Sequence, residues 1–334
     1  MKKRVMLLTG LCLVLVLGMV VLGACASSPQ SSDTPDGEES AVQTTLNVGL
    51  NGDIKSLDPV YAYDTTTIPV VVQAMQGLLK YGANDELEPN IAESWEEVDS
   101  TTWVYQIRSN VTFSDGNPMT MDDVLYSLER HRDEEVGSYL AWMYDHVESI
   151  EKTGDWELTV KLSEPDAFWR YTFATTAGHI VEKSVVEAAG NEYGSVAKGI
   201  IGTGPYKLEK WYNGQQISFT YDENYWNKEV EGEPDVKRVV FQIIAEDATR
   251  SLALASGQID LDLAVTVENV EAVKNGDNTS LAEVASGGFS FVAFNCQKPP
   301  FDDVNVRKAI AAAIDMPALQ ENVLKEYGLP TNYS

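Results

Sequence analysis

The chain has 334 residues, 44% of them apolar and 22% charged, which excludes a disordered polypeptide and leaves room for two domains of ordinary size. A formal net charge of −27 argues against a surface built to hold nucleic acid or anionic lipid headgroups. The cysteines are Cys12, Cys25 and Cys296, with Cys12 inside an apolar leader, so no intramolecular disulfide framework fits.

Lys2-Lys3-Arg4 precedes the apolar run Val5–Leu22, and Leu22-Gly23-Ala24-Cys25 closes it. A basic start, an apolar core and small residues spell an export signal over residues 1–24. The run is nearly long enough to span a bilayer, so an uncleaved membrane helix is the alternative. Leu-Gly-Ala-Cys is similar to the bacterial lipobox, which implies that Cys25 is diacylated and becomes the new N-terminus. Two acyl chains anchor stably where one does not. Loss of the three leader cations takes the net charge from −27 to near −30. Residues 25–44 are rich in Ser, Pro, Gln, Asp, Gly and Glu with almost no large apolar side chain, and they read as a flexible tether.

The folded body opens with a strand over Thr45–Leu50, a turn at Asn51-Gly52-Asp53, and the phrase Leu57-Asp58-Pro59. Tyr61–Thr67 is polar and aromatic, hence a loop. Thr67 and Pro69 open an expected helix whose apolar positions, Ile68, Val71, Val72, Met75, Leu78 and Leu79, keep helical spacing. Trp103, Tyr105 and Ile107 alternate with polar neighbours across Thr102–Arg108, a strand with one apolar face. Asp115-Gly116-Asn117-Pro118 turns the chain, and Thr120 with Asp123 forms a capping box for a helix carrying Val124, Leu125 and Leu128.

Trp156–Leu162 reads as a strand and Ser184–Ala189 as a short helix stopped by Gly190. Tyr206–Trp211 and Gln216–Tyr221 are strands joined through Asn213-Gly214, a strong hairpin signal. Gly202 and Gly204 lack the third glycine of a dinucleotide loop and no Gly-Lys-Ser/Thr follows, which sets nucleotide binding aside. Val236–Ile244 is a β-branched run suited to a buried strand. Asp247 is expected to cap a helix over Ala248–Ser256, and Gln258–Val265 is expected to be the next strand. That order implies a parallel crossover. Phe289, Phe291 and Ala293 alternate as a strand face, Pro299-Pro300 breaks the chain, and Asp303 or Asn305 caps a helix with Val306, Ile310, Ala313 and Ile314.

Three stretches carry a family resemblance: Ala92–Arg130, Gly202–Trp226 and Phe289–Asp315. Their wording resembles the substrate-binding proteins of ABC importers, specifically the large peptide and nickel class, solute-binding family 5. The resemblance implies an α/β protein of the periplasmic-binding-protein-like type II (class C) fold, with two lobes and an extra subdomain in lobe I. Residues 45–62 and 195–285 would form the lobe I core, 63–194 the extra subdomain, and 286–334 the start of lobe II. Family members are usually longer, so lobe II is expected to be largely missing here, with a complete minimal binder as the alternative.

By position in the family, Tyr63, Asp64 and Thr65 line the ligand cleft, with an ordinary solvated loop as the alternative. Tyr139 is the candidate stacking tyrosine, with core packing as the alternative. Leu263, Ala264, Val265 and Thr266 occupy the carboxyl end of the last expected strand, where ligands sit in open α/β sheets. Phe289 and Phe291 face either the cleft or the core. The implied ligand is a peptide or another small solute; relatives also carry nickel chelates, haem, opines and oligosaccharides. The implied partners are ABC permease and ATPase subunits and, through Cys25, the membrane. The chain is expected to be a monomer that binds no nucleic acid.

No catalytic constellation is expected. His131, His146 and His179 keep no metal spacing, no Gly-x-Ser-x-Gly elbow occurs, and Cys296 reads as a lone, buried, inert thiol. Asp260 and Asp262 share a face of the expected strand, and a structural or amine-binding role outweighs a catalytic one. No cofactor or metal is implied.

Overall fold

The computed structural model describes residues 44–284 and 291–328. Cys25, Phe289 and the leader therefore lie outside the described residues. The strands in chain order are β1 (Thr45–Leu50), β2 (Leu79–Tyr81), β3 (Leu87–Pro89), β4 (Ala92–Asp99), β5 (Thr102–Ile107) and β6 (Val147–Gly154). Then follow β7 (Glu157–Leu162), β8 (Tyr206–Tyr212), β9 (Gln216–Tyr221), β10 (Arg238–Ile243) and β11 (Leu261–Asp262).

Five of these form one sheet in the order β11-β1-β10-β9-β8. β1 runs parallel to both β10 and β11, while β9 is antiparallel to β10 and β8. The chain leaves β10, passes through the helix Asp247–Ala255, and returns as β11 on the far side of β1, so the expected crossover is present. A second sheet, β4-β5-β7-β6, is wholly antiparallel. Trp103, Tyr105 and Ile107 are the buried face of β5, as the period of two requires. Burial of each such side chain contributes roughly 1.5–3 kcal/mol. They join Leu128, Leu158, Val160, Trp169 and Phe173 in one apolar cluster. A second cluster lies on the five-stranded sheet, where Val70, Met75, Val181 and Val186 pack with Val48, Phe219 and Phe241.

Thr120 caps the helix Met121–Glu129 as expected: its backbone N–H donates to Asp123 Oδ2 at 2.8 Å, and Thr120 Oγ1 accepts from Asp123 N at 3.2 Å. Asp303, not Asn305, caps the helix Val304–Ala313. Five expectations are corrected. The helix from Ile68 stops at Val71, because Gly204 N and Tyr206 N take the carbonyls of Ala74 and Gln73 at 2.9 and 3.1 Å. A helix continuing through that point would need those carbonyls for itself. Gly202 belongs to the same close approach: a Cβ there would sit 2.0 Å from Ala74 O. The Gly-Thr-Gly-Pro phrase is thus a backbone dock, and Gln76 completes it, donating to Tyr225 Oη at 2.8 Å and accepting from Trp226 Nε1 at 3.0 Å.

The second correction is at Asp247, which opens its helix while Glu246 caps it, accepting from Ala248 N and Thr249 N. The longer carboxylate of Glu246 reaches both free amides from the cap position. The third is the expected strand Gln258–Val265, reduced to Leu261–Asp262. Asp262 Oδ1 accepts from Ala264 N at 2.9 Å and Arg250 Nη2 donates to Ala264 O at 2.6 Å, so side chains replace a ladder. Finally, Phe291 and Ala293 lie outside any strand and Phe291 is 73% exposed. Alternation encodes one apolar face and does not by itself fix a strand's backbone. Cys296, expected to be buried, is exposed.

Candidate functional site

The site is built on the turn Pro59–Tyr61. Asp58 precedes that turn and is buried. Its carboxylate accepts from Arg130 Nη1 at 3.0 Å and Arg130 Nη2 at 2.6 Å, a two-pronged ion pair, and also from Val60 N at 3.3 Å. The guanidinium lies 6.0 Å from the Tyr126 ring centre and 5.9 Å from that of Tyr193. Burial opposes its charge, but the hydrogen bonds and charge of Asp58 outweigh that and hold Arg130 above the ordinary arginine value. Gly194, at φ +75°, brings its carbonyl to Leu57 N at 2.8 Å, and a Cβ there would meet Asp58 N at 2.3 Å. The backbone entering the turn is therefore fixed from two sides.

Onto this turn a second loop is laced. Tyr139 N donates to Val60 O at 3.0 Å, Ser138 Oγ donates to the same oxygen at 3.2 Å, and Tyr61 Oη donates to Val136 O at 2.8 Å. Three tyrosine rings result in a row. Tyr139 stands edge-on to Tyr61 at 5.3 Å and to Tyr63 at 5.2 Å, both within the range of favourable aromatic pairs. Tyr63 and Tyr139 are 61% and 58% exposed, so their outer faces and hydroxyls are open to a ligand. Tyr61 sits deeper, and burial followed by the Asp58 charge raises its pKa. Asp64 accepts from Thr66 N, Thr67 N and Thr67 Oγ1 at 2.9, 2.8 and 2.8 Å, so its carboxylate is engaged in shaping the loop. Thr65 is exposed beside it.

The sheet edge comes next. Thr66 Oγ1 donates to Asn51 Oδ1 at 3.1 Å, just past the end of β1. Leu50 O accepts from Ile244 N at 2.9 Å, and Ile244 O accepts from Arg250 Nη1 at 3.0 Å. Arg250 is fully buried and also holds Asp262 Oδ1 at 2.7 Å, Asp247 Oδ1 at 2.8 Å and Ala264 O at 2.6 Å. Burial works against its charge, and Asp247 and Asp262 together hold its pKa up. One guanidinium thus fixes the carboxyl ends of β10 and β11, with the loop of Thr66 touching the end of β1 beside them. Leu263 and Val265 line a groove of about 1010 Å³ with Leu254, Leu261, Val270 and Val273. Thr266 is occupied in holding Asn269, accepting from its backbone N and Nδ2 at 2.9 and 3.0 Å.

The structure therefore brings Tyr63 and Tyr139 together, spends Asp64 on loop geometry, and places Leu263 and Val265 on a groove that also carries Asp260, Asp262, Thr279 and Glu283. Phe291 is exposed in a separate segment. Asp260 and Asp262 do not act as a pair: Asp260 Oδ2 accepts from Asn47 N at 2.7 Å, while Asp262 serves Arg250. Among the described residues no group of three or more His, Cys, Asp or Glu is placed to hold a metal ion. Sequence reasoning missed Tyr61 and the Asp58–Arg130 pair. Both partners lie in the recognised wording, Leu-Asp-Pro and the closing arginine of Ala92–Arg130, but the pairing joins positions 72 apart.

Residues 86–334 match the model of the bacterial extracellular solute-binding proteins, family 5 Middle. The chain is a family 5 solute-binding protein. Members of this family are binding proteins and not enzymes. The chain is 29% identical to the probable D,D-dipeptide-binding periplasmic protein DdpA of Escherichia coli K12, over 85% of this chain and 55% of DdpA. The periplasmic binding protein DppA of Helicobacter pylori, solved with the peptide STSA, superposes with a TM-score of 0.74 at 26% identity. That match covers 84% of this chain and 58% of DppA. NikZ of Campylobacter jejuni, solved with Ni(L-His), gives a TM-score of 0.76 at 24% identity, over 87% of this chain and 57% of NikZ. The fold is the periplasmic-binding-protein type II fold. This family 5 chain spans a little over half the length of these relatives.

Proposed function

We propose that this chain captures peptides or peptide-like small solutes outside the cell membrane and delivers them to an ABC permease and its ATPase subunits. The observation that carries the reading is the row Tyr61–Tyr139–Tyr63, held rigidly on a buried ion pair yet open on its outer side. Such rings offer apolar faces for varied side chains and hydroxyls for main-chain groups, which suits a ligand class with one backbone and many side chains. The peptide and dipeptide binders among its relatives support the same ligand class.

In this reading residues 45–62 and 195–285 form the core of lobe I, 63–194 its extra subdomain, and 286–334 the beginning of lobe II. Hinge closure of the lobes encloses the ligand, and water-filled pockets accommodate different side chains. Cys25 carries the lipid that holds a monomer at the extracytoplasmic face. The chain binds and releases its solute without turning it over.

Thermal denaturation in the presence of a short-peptide panel tests this, with a nickel–histidine chelate, haem and an oligosaccharide as competitors for the role. A rise in melting temperature with peptides is expected. Silence for every peptide, with a rise for a chelate, haem or a sugar, contradicts the peptide reading.

A further inference from the structure

We propose that His131 is a positioning residue for the tyrosine row and makes its closure sensitive to pH. The inference rests on the reading of Tyr63 and Tyr139 as ligand contacts. His131 directly follows Arg130 at the end of the helix Met121–Glu129 and is 1% exposed. Its Nδ1 lies 2.8 Å from Ser138 Oγ. That hydroxyl also reaches Val60 O at 3.2 Å and accepts from Leu140 N at 3.1 Å. A single hydroxyl therefore joins His131 to both loops, since Val60 precedes Tyr61 in one and Ser138 precedes Tyr139 in the other.

The groups around the imidazole favour its neutral form. Tyr144 stacks flat against it at 5.1 Å and 4°, and donates its own hydroxyl to Ala177 O at 2.6 Å. Arg130 on its own element and His179 from the segment after the turn Thr176–Gly178 both oppose a positive charge there. Burial is the larger effect, and together they hold the closed-state pKa at about 3. If the loop of Ser138 lifts, the ring meets water and takes a proton near its ordinary pKa of about 6.5. Closure is then fully supported above that value and weakens as pH falls through it toward the closed-state value. By linkage, the ratio of open to closed loop at pH 5 rises about 30-fold over its neutral value. Solute held by the row would be released by acid.

Amide hydrogen exchange on the ligand-free chain tests this without reference to any solute. The Tyr139 amide reports the opening, because its bond to Val60 O must break before exchange. The Val160 amide, in the four-stranded sheet, reports global unfolding. On going from pH 7.5 to 5 we expect the Tyr139 protection factor to fall about 30-fold while staying well below that of Val160, which falls further because global unfolding exposes both His131 and His179. His131→Gln should remove that dependence. Ser138→Ala keeps the imidazole but cuts the link, and should lower Tyr139 protection about tenfold already at pH 7.5. The proposal is overturned if Tyr139 protection in the wild type does not depend on pH, if it equals that of Val160 so that Tyr139 exchanges only by global unfolding, or if His131→Gln retains the fall. It is also overturned if Ser138→Ala leaves Tyr139 protection unchanged. None of these outcomes bears on whether the solute is a peptide.

Discussion

Asp58 and Arg130 stand 72 positions apart in the chain and meet in its interior through two hydrogen bonds of 3.0 and 2.6 Å. Their side chains are 3% and 9% exposed. The pair ties the end of the helix Met121–Glu129 to the turn that presents Tyr61 and Tyr63. Removing one member leaves the other as an uncompensated buried charge. Arg130→Ala or Asp58→Ala should therefore destabilise the protein by about 3–5 kcal/mol, read from urea denaturation. The double variant should cost clearly less than the sum of the two single changes, and additivity would show that the pair does not act as a unit.

His131 and His179 are both buried, and each is held at about 3, His131 by burial with Arg130 and His179, His179 by burial. The folded values lie below the unfolded value of about 6.5, so the unfolded chain binds more protons between them. Stability is then full above pH 6.5 and declines as pH falls toward 3. At pH 5 each histidine should cost roughly 2 kcal/mol relative to pH 7.5. Denaturation midpoints measured across that range check the slope, and a profile flat from pH 7.5 to 5 would contradict it.

The glycine at 202 is required by contact and not by backbone angle, since a Cβ would sit 2.0 Å from Ala74 O. Gly202→Ala must push apart the segments joined by the bond from Gly204 N to Ala74 O. A loss of about 1–3 kcal/mol or more is expected. Gly214→Ala serves as a comparison, because nothing lies within 4 Å of its added carbon and only its φ of +66° resists the change. The loss there should be about 1 kcal/mol.

The Thr120 cap offers a smaller, cleaner change. Thr120→Ala removes the acceptor for Asp123 N and a partner of Asp123 Oδ2. We expect a loss of about 1 kcal/mol, with the helical circular dichroism signal otherwise intact.

Much of this fold was legible because its local signals agree with its tertiary contacts. The Trp103–Tyr105–Ile107 alternation, the Thr120–Asp123 box and the Asn213-Gly214 turn each give the element that forms. The failures share a cause. Ile68–Leu79 has a good helical stripe, but the carbonyls of Gln73 and Ala74 are claimed by residues 204 and 206, more than a hundred positions later. Gln258–Val265 has strand-like wording, but Arg250 and Asp262 supply its hydrogen bonds. At the site, Tyr61 falls in a segment that reads only as a loop, while Tyr63 and Tyr139 are candidates from their positions in the family wording. Asp64 looked the same, and nothing local separated a ligand contact from a side chain that closes its own loop. The pairing of Asp58 with Arg130 carries no local period at all.

The most direct measurement is calorimetric titration of a short-peptide panel into the wild type and the Tyr63→Ala/Tyr139→Ala variant. Both rings are more than half exposed, so the variant should keep its fold by circular dichroism. We predict peptide binding by the wild type and an affinity about a hundredfold weaker in the variant, corresponding to roughly 1–1.5 kcal/mol per ring. Equal peptide affinity in both proteins, or no peptide heat in the wild type, would contradict the tyrosine row as the ligand-binding surface.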